Sequence, residues 1–403
     1  MKNAVFAFIS TASIFLFAAP TVSNVDVQVD GASRLVKVTY DLSEEAVVTF
    51  AFKTNGIALP GSETSRVLGD VCRRIPKGVG KSFVWRPERR VNRQIGKNVL
   101  TVEVTAWPLD NPPDYMEIDL VVTNAIRYYA SVEALPNPLG ATNDIYKTVK
   151  LLMRKVPAAG IEWKMGKAGS SNLAQQRSVK ISENYYIGVF PVTWSQADLI
   201  GQAANAVTSI NGFGNTTQVP SQSSYNNIRG ESTEVWAGWP QKGSEVVSGK
   251  FIDKARRYTG VMLDLASSAQ WEFACRAGTG ADLYNGLPVS NANVEDLAWF
   301  NVNVPAEGRT YKVVGLKQPN AWGLYDMLGN IWEHCLDWYE NAASSEYLDP
   351  KGPESSSTGT RMMRGGSVHN ASGSCVSYSA TSLVPQNNYG YRLAAPCEAP
   401  VSR

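Results

Sequence analysis

Two histidines, His334 and His369, and five cysteines in 403 residues set close limits on metal and redox chemistry. A facial set of three imidazoles cannot be assembled from two. Charge of either sign is also sparse: Asp, Glu, Lys and Arg make up 18% of the chain, the net charge is +2, and no basic stripe exists to draw in a phosphate backbone. Nucleic acid is therefore not an expected partner. Walker loops, dinucleotide fingerprints, Gly-x-Ser-x-Gly elbows and internal repeats are all missing. No apolar run beyond Ala19 reaches the roughly 20 residues that a membrane-spanning helix needs.

The chain does hold one apolar run, Ala4 to Ala19, behind Lys2 and ahead of Pro20. That order of charge, apolar stretch and small polar residues is the layout of a secretory leader. We expect residues 1–23 to be a signal peptide, cut after Ala18 or Ser23, and the mature chain to be secreted, periplasmic or extracellular. No cysteine follows the run, which disfavours a lipid anchor. Export makes Cys72, Cys275, Cys335, Cys375 and Cys397 disulfide candidates. With Cys72 as the odd one, the other four allow three connectivities.

Thirty-three Gly, 21 Pro and 11 Trp within 44% hydrophobic residues describe a folded, loop-rich protein of two domains. Residues 24–122 alternate in short β-branched segments: Val25 to Val29, Leu35 to Tyr40, Val47 to Phe52, Ser82 to Trp85, Val99 to Ala106 and Met116 to Val122. Turn chemistry such as Thr54-Asn55-Gly56 separates them, so an all-β, immunoglobulin- or fibronectin-like sandwich is predicted. Residues 123–147, with Pro136-Asn137-Pro138, read as a linker. Residues 148–397 form an α+β domain with few helices. Two of these are marked by capping boxes, Thr193 with Gln196 and Ser267 with Gln270, and a third runs from about Lys250 to Tyr258 ahead of Gly260. Gly212-Phe213-Gly214 reads as a turn, and Asn215-Thr216-Thr217 and Asn370-Ala371-Ser372 are sequons in a eukaryotic host.

Five segments in order carry a family resemblance. Tyr185-Tyr186-Ile187-Gly188-Val189-Phe190-Pro191-Val192-Thr193 opens the series, and Leu265 to Thr279 follows with Trp271-Glu272-Phe273-Ala274-Cys275-Arg276. Next comes Gly323-Leu324-Tyr325-Asp326-Met327-Leu328-Gly329-Asn330-Ile331-Trp332-Glu333, then Arg364-Gly365-Gly366-Ser367, then Gly390-Tyr391-Arg392-Leu393. Together they resemble the formylglycine-generating enzyme (sulfatase-modifying factor) family, whose fold is a variant of the C-type lectin fold.

The resemblance implies specific residues. In the oxygen-dependent enzymes two cysteines, three and eight residues after the serine of the Arg-Gly-Gly-Ser motif, bind Cu(I) and engage a substrate cysteine. Here Asn370 and Cys375 stand after Ser367. An amide oxygen is a hard donor that cannot replace a thiolate for Cu(I), so copper is not expected. The family's structural Ca²⁺ loop maps onto Leu328, Gly329, Ile331 and Glu333, which makes calcium the expected cofactor. A second family calcium site would use Asn301 and Val302, but Glu307-Gly308-Arg309 stands in place of its acidic loop. Disulfides Cys335–Cys375 and Cys275–Cys397 are implied by similarity to exported relatives. Ala266, Ser268, His334 and Val368 also depart from the family pattern while its glycines and tryptophans persist. The expectation is a binding or scaffold descendant that takes a protein, peptide or glycan ligand, with an oxidase working through a variant site as the alternative.

Overall fold

The computed structural model describes residues 19–91, 99–170, 174–201, 217–230, 246–307, 309–339, 346–353, 355–383 and 389–397. Most of the expected leader, the Gly212-Phe213-Gly214 turn and the Asn215 sequon's first two residues lie outside them. Among the described residues no helix is long and apolar enough to cross a membrane.

The N-terminal unit contains β1 (Val22–Asp30), β2 (Leu35–Leu42), β3 (Ala46–Thr54), β4 (Ile57–Ala58), β5 (Val67–Gly69), β6 (Arg73–Ile75), β7 (Gly78–Trp85) and β8 (Leu100–Trp107). One sheet has the order β1-β2-β7-β5; the other runs β4-β3-β6, with β8 paired antiparallel to β3 from Val47–Trp107 to Thr54–Leu100. Period-two alternation points Val36, Val38, Tyr40 and Leu42 of β2 inward, along with Phe83 and Trp85 of β7. Across the gap Phe52 of β3 stacks on Trp85 with ring centroids 4.3 Å apart, so the two sheets share one aromatic core.

The second unit is mixed and sheet-rich. Its strands are β9 (Tyr115–Asp119), β10 (Ile126–Tyr129), β11 (Lys150–Val156), β12 (Glu162–Met165), β13 (Arg177–Lys180), β14 (Tyr185–Gly188), β15 (Asp264–Leu265), β16 (Glu333–Trp338), β17 (Arg361–Arg364), β18 (Ala380–Leu383), β19 (Gly390–Tyr391) and β20 (Leu393–Pro396). A six-stranded sheet has the order β10-β9-β11-β14-β20-β15, and a four-stranded one has the order β18-β17-β16-β19. The expected capping boxes are present. Thr193 and Gln196 start the Trp194–Leu199 helix, and Ser267 and Gln270 start the Ser268–Arg276 helix. The third helix spans Phe251–Thr259 and stops at Gly260, which turns left-handed at φ 73°.

The domain boundary differs from the expected one. The strand read as the last of the sandwich is β9, and it pairs with β11 of the second unit (Met116 with Met153, Ile118 with Leu151). The segment read as a linker holds β10, which completes a hairpin with β9, and short 3-10 turns. Tyr146 in those turns is fully buried and donates to Glu117 Oε2 at 2.9 Å. Alternation marks a strand without naming its partner, which is why the sequence pattern assigned β9 to the wrong sheet. The two units also share a core: Tyr115, Tyr129, Leu152 and Phe190 belong to the same buried cluster as Val38, Phe52 and Trp85.

Candidate functional site

Every residue of the Ser268–Arg276 helix is buried, so its polar side chains must find partners inside the protein. Trp271 Nε1 donates to Glu333 Oε2 at 2.7 Å. Arg392, between β19 and β20, closes on the same carboxylate with Nε to Oε2 at 3.0 Å and Nη2 to Oε1 at 2.9 Å. The remaining guanidinium donors reach the carbonyls of Gly188 (2.7 Å), Val189 (3.1 Å) and Tyr325 (2.8 Å). Three motif segments, from β14, the Glu333 loop and the last strands, are thus tied to one guanidinium. Glu333 and Arg392 are each 1% exposed, and breaking such a pair strands a charge in a dry interior.

A second charged group lies on the same helix. Glu272 holds Arg276 (2.7 Å) and Arg364 (2.9 Å) and accepts the Gly166 amide (2.8 Å). Arg364 Nε donates to Ser268 Oγ at 2.8 Å, and the Ser268 amide donates to Asp337 Oδ2 at 2.6 Å. Burial pushes the Asp337 carboxyl up to about 6, against the amide bond and Arg364, which lower it. Burial likewise raises Asp326 to about 6; its carboxylate accepts the Gly315 amide at 2.6 Å and Asn330 Nδ2 at 3.3 Å. Arg364 is therefore a framework residue that orients the loop it opens.

That loop brings Ser367, Asn370 and Cys375 together. Ser367 Oγ donates to Asn370 Oδ1 at 2.7 Å and accepts the His369 amide at 3.2 Å, while the Asn370 amide donates back to the Ser367 carbonyl at 3.0 Å. The side-chain oxygen of Asn370 is thereby spent on closing its own turn. Cys375 lies beneath: a Cβ added at Gly366, whose φ is +83°, would stand 3.0 Å from Cys375 Sγ. The thiol is fully buried and desolvation pushes it up to about 12, with a Ser367 backbone hydrogen bond opposing. One hard oxygen and one inaccessible neutral thiol do not fit Cu(I).

The calcium donor set does not fit a cation either. Both Glu333 oxygens are occupied by N–H donors from Trp271 and Arg392, and the Gly329 carbonyl accepts the Ile331 amide at 2.8 Å. At the second position Arg309 donates from Nη2 to the Asn301 carbonyl at 2.9 Å and from Nε to the Val304 carbonyl at 3.2 Å. At each location a guanidinium bonds a mapped ligand, Arg392 the Glu333 carboxylate and Arg309 the Asn301 carbonyl. Sequence reasoning quoted Arg392 only as part of a motif and Arg309 only as a departure. Arg309, in the stretch that replaces the acidic loop, is a signal that could have found the second position; Arg392, 59 residues from Glu333, leaves no local one.

The disulfide expectation is corrected by the structure, in which all five cysteines are free and buried. Cys275, on the central helix, packs in the cluster around Trp271, whereas Cys397 packs in the one around Tyr186 and Leu393. Cys335 and Cys375 share the Trp271 cluster but occupy it as thiols, small apolar fillers in a core that closes without a bridge. The two histidines serve separate places. His334 is buried with Nε2 3.1 Å from the Ser223 carbonyl, between the edges of Tyr225 and Tyr389; His369 is exposed beside Tyr311.

Around His369 a surface has formed that no motif marked. The Asn301 amide donates to the Asn370 carbonyl at 3.0 Å, joining the 299–312 loop to the Ser367 loop. Trp299 and Tyr311 are half-buried nearby, Lys317 Nζ stands 4.1 Å over the Trp299 ring, and Asn301 Oδ1 is buried with no hydrogen-bond partner among the described residues. Half-buried aromatic rings beside the exposed His369 imidazole suit the capture of a polar ligand.

Residues 153–396 match the family model described as the sulfatase-modifying factor enzyme 1-like domain. The chain is similar to the formylglycine-generating enzyme of Bos taurus, 30% identical over 145 residues that cover 32% of this chain and 38% of that protein. It is also similar to the formylglycine-generating enzyme of Streptomyces coelicolor, 29% identical over 213 residues that cover 49% of this chain and 64% of that protein. It thus spans less than two thirds of either enzyme. Among solved structures it is similar to Treponema denticola variable protein 1, with 23% identity, a TM-score of 0.48, and coverage of 62% of this chain and 96% of that one.

Proposed function

This chain belongs to the sulfatase-modifying factor family, and from that premise we propose that it is an exported binding or scaffold protein whose family domain has lost the two-cysteine copper oxidase site. The observation that carries this reading is the closed turn between Ser367 and Asn370 above a buried Cys375. A copper oxidase of the family's kind needs two soft, deprotonable donors at those positions, and here one is an amide and the other a thiol pushed up to about 12. The apolar run at Ala4 to Ala19 supports export. We read the second unit as C-type-lectin-like and the N-terminal strands as an immunoglobulin-like spacer.

The ligand is a protein, peptide or glycan, met on the face formed by Trp299, Tyr311 and His369. Polar ligands suit it, because it offers an imidazole, aromatic rings and the Lys317 ammonium over Trp299. Binding of the full chain to peptide and glycan arrays tests this. Tyr311→Ala and His369→Ala should each weaken the strongest hit about tenfold, the worth of one good contact in an interface. Unchanged binding in both variants would move the ligand site elsewhere. Turnover of a peptide cysteine by the unaltered protein would favour the rival reading, an oxidase working through a variant site.

A further inference from the structure

A cleft of about 150 Å³ opens where the N-terminal sheets meet the second unit, away from the Ser367 loop. Phe50 and Phe52 of β3, Leu59 after β4, Val67 of β5 and Tyr129 of β10 line it. Its walls are held by backbone hydrogen bonds. The Gly61 amide donates to the Glu133 carbonyl at 2.8 Å, the Tyr128 amide to the Cys72 carbonyl at 2.9 Å, and the Cys72 amide to the Val48 carbonyl at 2.7 Å. Gly61 is needed for this closure, since a Cβ there would collide with the Ala134 carbonyl. Cys72 is held left-handed at φ 59°, a conformation that a non-glycine residue adopts only when its surroundings impose it. Rigid walls keep the cleft from collapsing, and an apolar cavity of this size holds one aromatic ring.

Two further observations point to a ligand. Tyr129 is 6% exposed, and its hydroxyl is buried without a hydrogen-bond partner among the described residues. Arg127 lines the cleft, is exposed, and forms no ion pair among the described residues. Its charge is felt at both Cys72 and Tyr129, as is that of Glu117, its cross-strand partner on β9. Arg127 is thus the exposed cation at the mouth.

We propose that this cleft binds a small apolar carboxylate, one aromatic ring or a branched chain of four to six carbons, with its body against Phe50 and Phe52 and its carboxylate at Arg127. Recognition needs no metal and no covalent step. It also places a ligand at the seam between the two units, where occupancy stabilises their contact.

The experiment uses the full chain and phenylacetate, followed by saturation-transfer NMR and calorimetry, with toluene as the uncharged probe. Phenylacetate is expected to bind with a Kd of about 1 mM or tighter. Arg127→Ala should weaken phenylacetate about tenfold and leave toluene unchanged, the mark of a lost charged hydrogen bond. Ala58→Trp fills the mouth from an exposed position on β4 and should abolish both signals, with circular dichroism and Tm reporting an intact fold. No phenylacetate binding at about 10 mM overturns the proposal. So does an affinity that neither variant changes.

Discussion

Arg392 and Glu333 face each other through two contacts of 2.9 and 3.0 Å, inside a core where each side chain is 1% exposed. The same guanidinium reaches three backbone carbonyls, so one residue near the C-terminus joins β14, the 323–333 loop and β16. Arg392→Ala leaves Glu333 charged and buried with only Trp271 as donor. The expected cost is about 3 to 5 kcal/mol. Urea unfolding followed by tryptophan fluorescence measures it, and a loss below about 1 kcal/mol would contradict the assignment.

Guanidinium groups at both mapped calcium positions imply metal-independent stability. Dialysis against EGTA should leave Tm unchanged, and added calcium should not raise it. A fall in Tm on chelation that calcium restores would show that Glu333 or Asn301 serves a metal in spite of Arg392 and Arg309.

All five thiols are buried, and burial pushes Cys72, Cys375 and Cys397 up to about 12. Ellman's reagent should therefore react with none of them in the native protein at pH 8 and with five after denaturation. A count of one in denaturant without reductant would restore the two bridges, and rapid native labelling of Cys375 would reopen its candidacy as a nucleophile.

Asp337 gives a pH signature. Its folded pKa, raised to about 6 by burial, lies above the usual carboxylate range, so its proton is held more tightly in the folded state. The stability it contributes is present below about pH 4 and is lost as pH rises through 6, about 3 kcal/mol in all. Asp337→Asn removes this dependence. Tm measured between pH 4 and 7.5 should fall less steeply for the variant than for the parent, and parallel curves would contradict the burial argument.

Some of this was legible in residue order. Thr193 with Gln196 and Ser267 with Gln270 announced two helix starts because a capping box is local chemistry, satisfied within four residues. Asn330 and Asp326 adopt left-handed φ of 60° and 52°, which both residue types tolerate. β9 was legible as a strand but not as a neighbour of β11, because pairing is decided by burial of Met116 and Ile118 against a distant segment. Arg392 lies 59 residues from Glu333, and no local pattern foretells a partner at that distance. The cleft at Phe50 was invisible for the same reason: its walls come from β3, β5 and β10, which only the fold brings together.

The central claim is that the family scaffold persists here without its oxidase. The direct measurement is to incubate the purified chain with Cu(I), oxygen and a Cys-x-Pro-x-Arg peptide and to follow the peptide by mass spectrometry. The account predicts an unchanged cysteine, because Asn370 closes its own turn and Cys375 stays a buried thiol. Formylglycine accumulating over repeated turnovers, and abolished by Cys375→Ser, would contradict it.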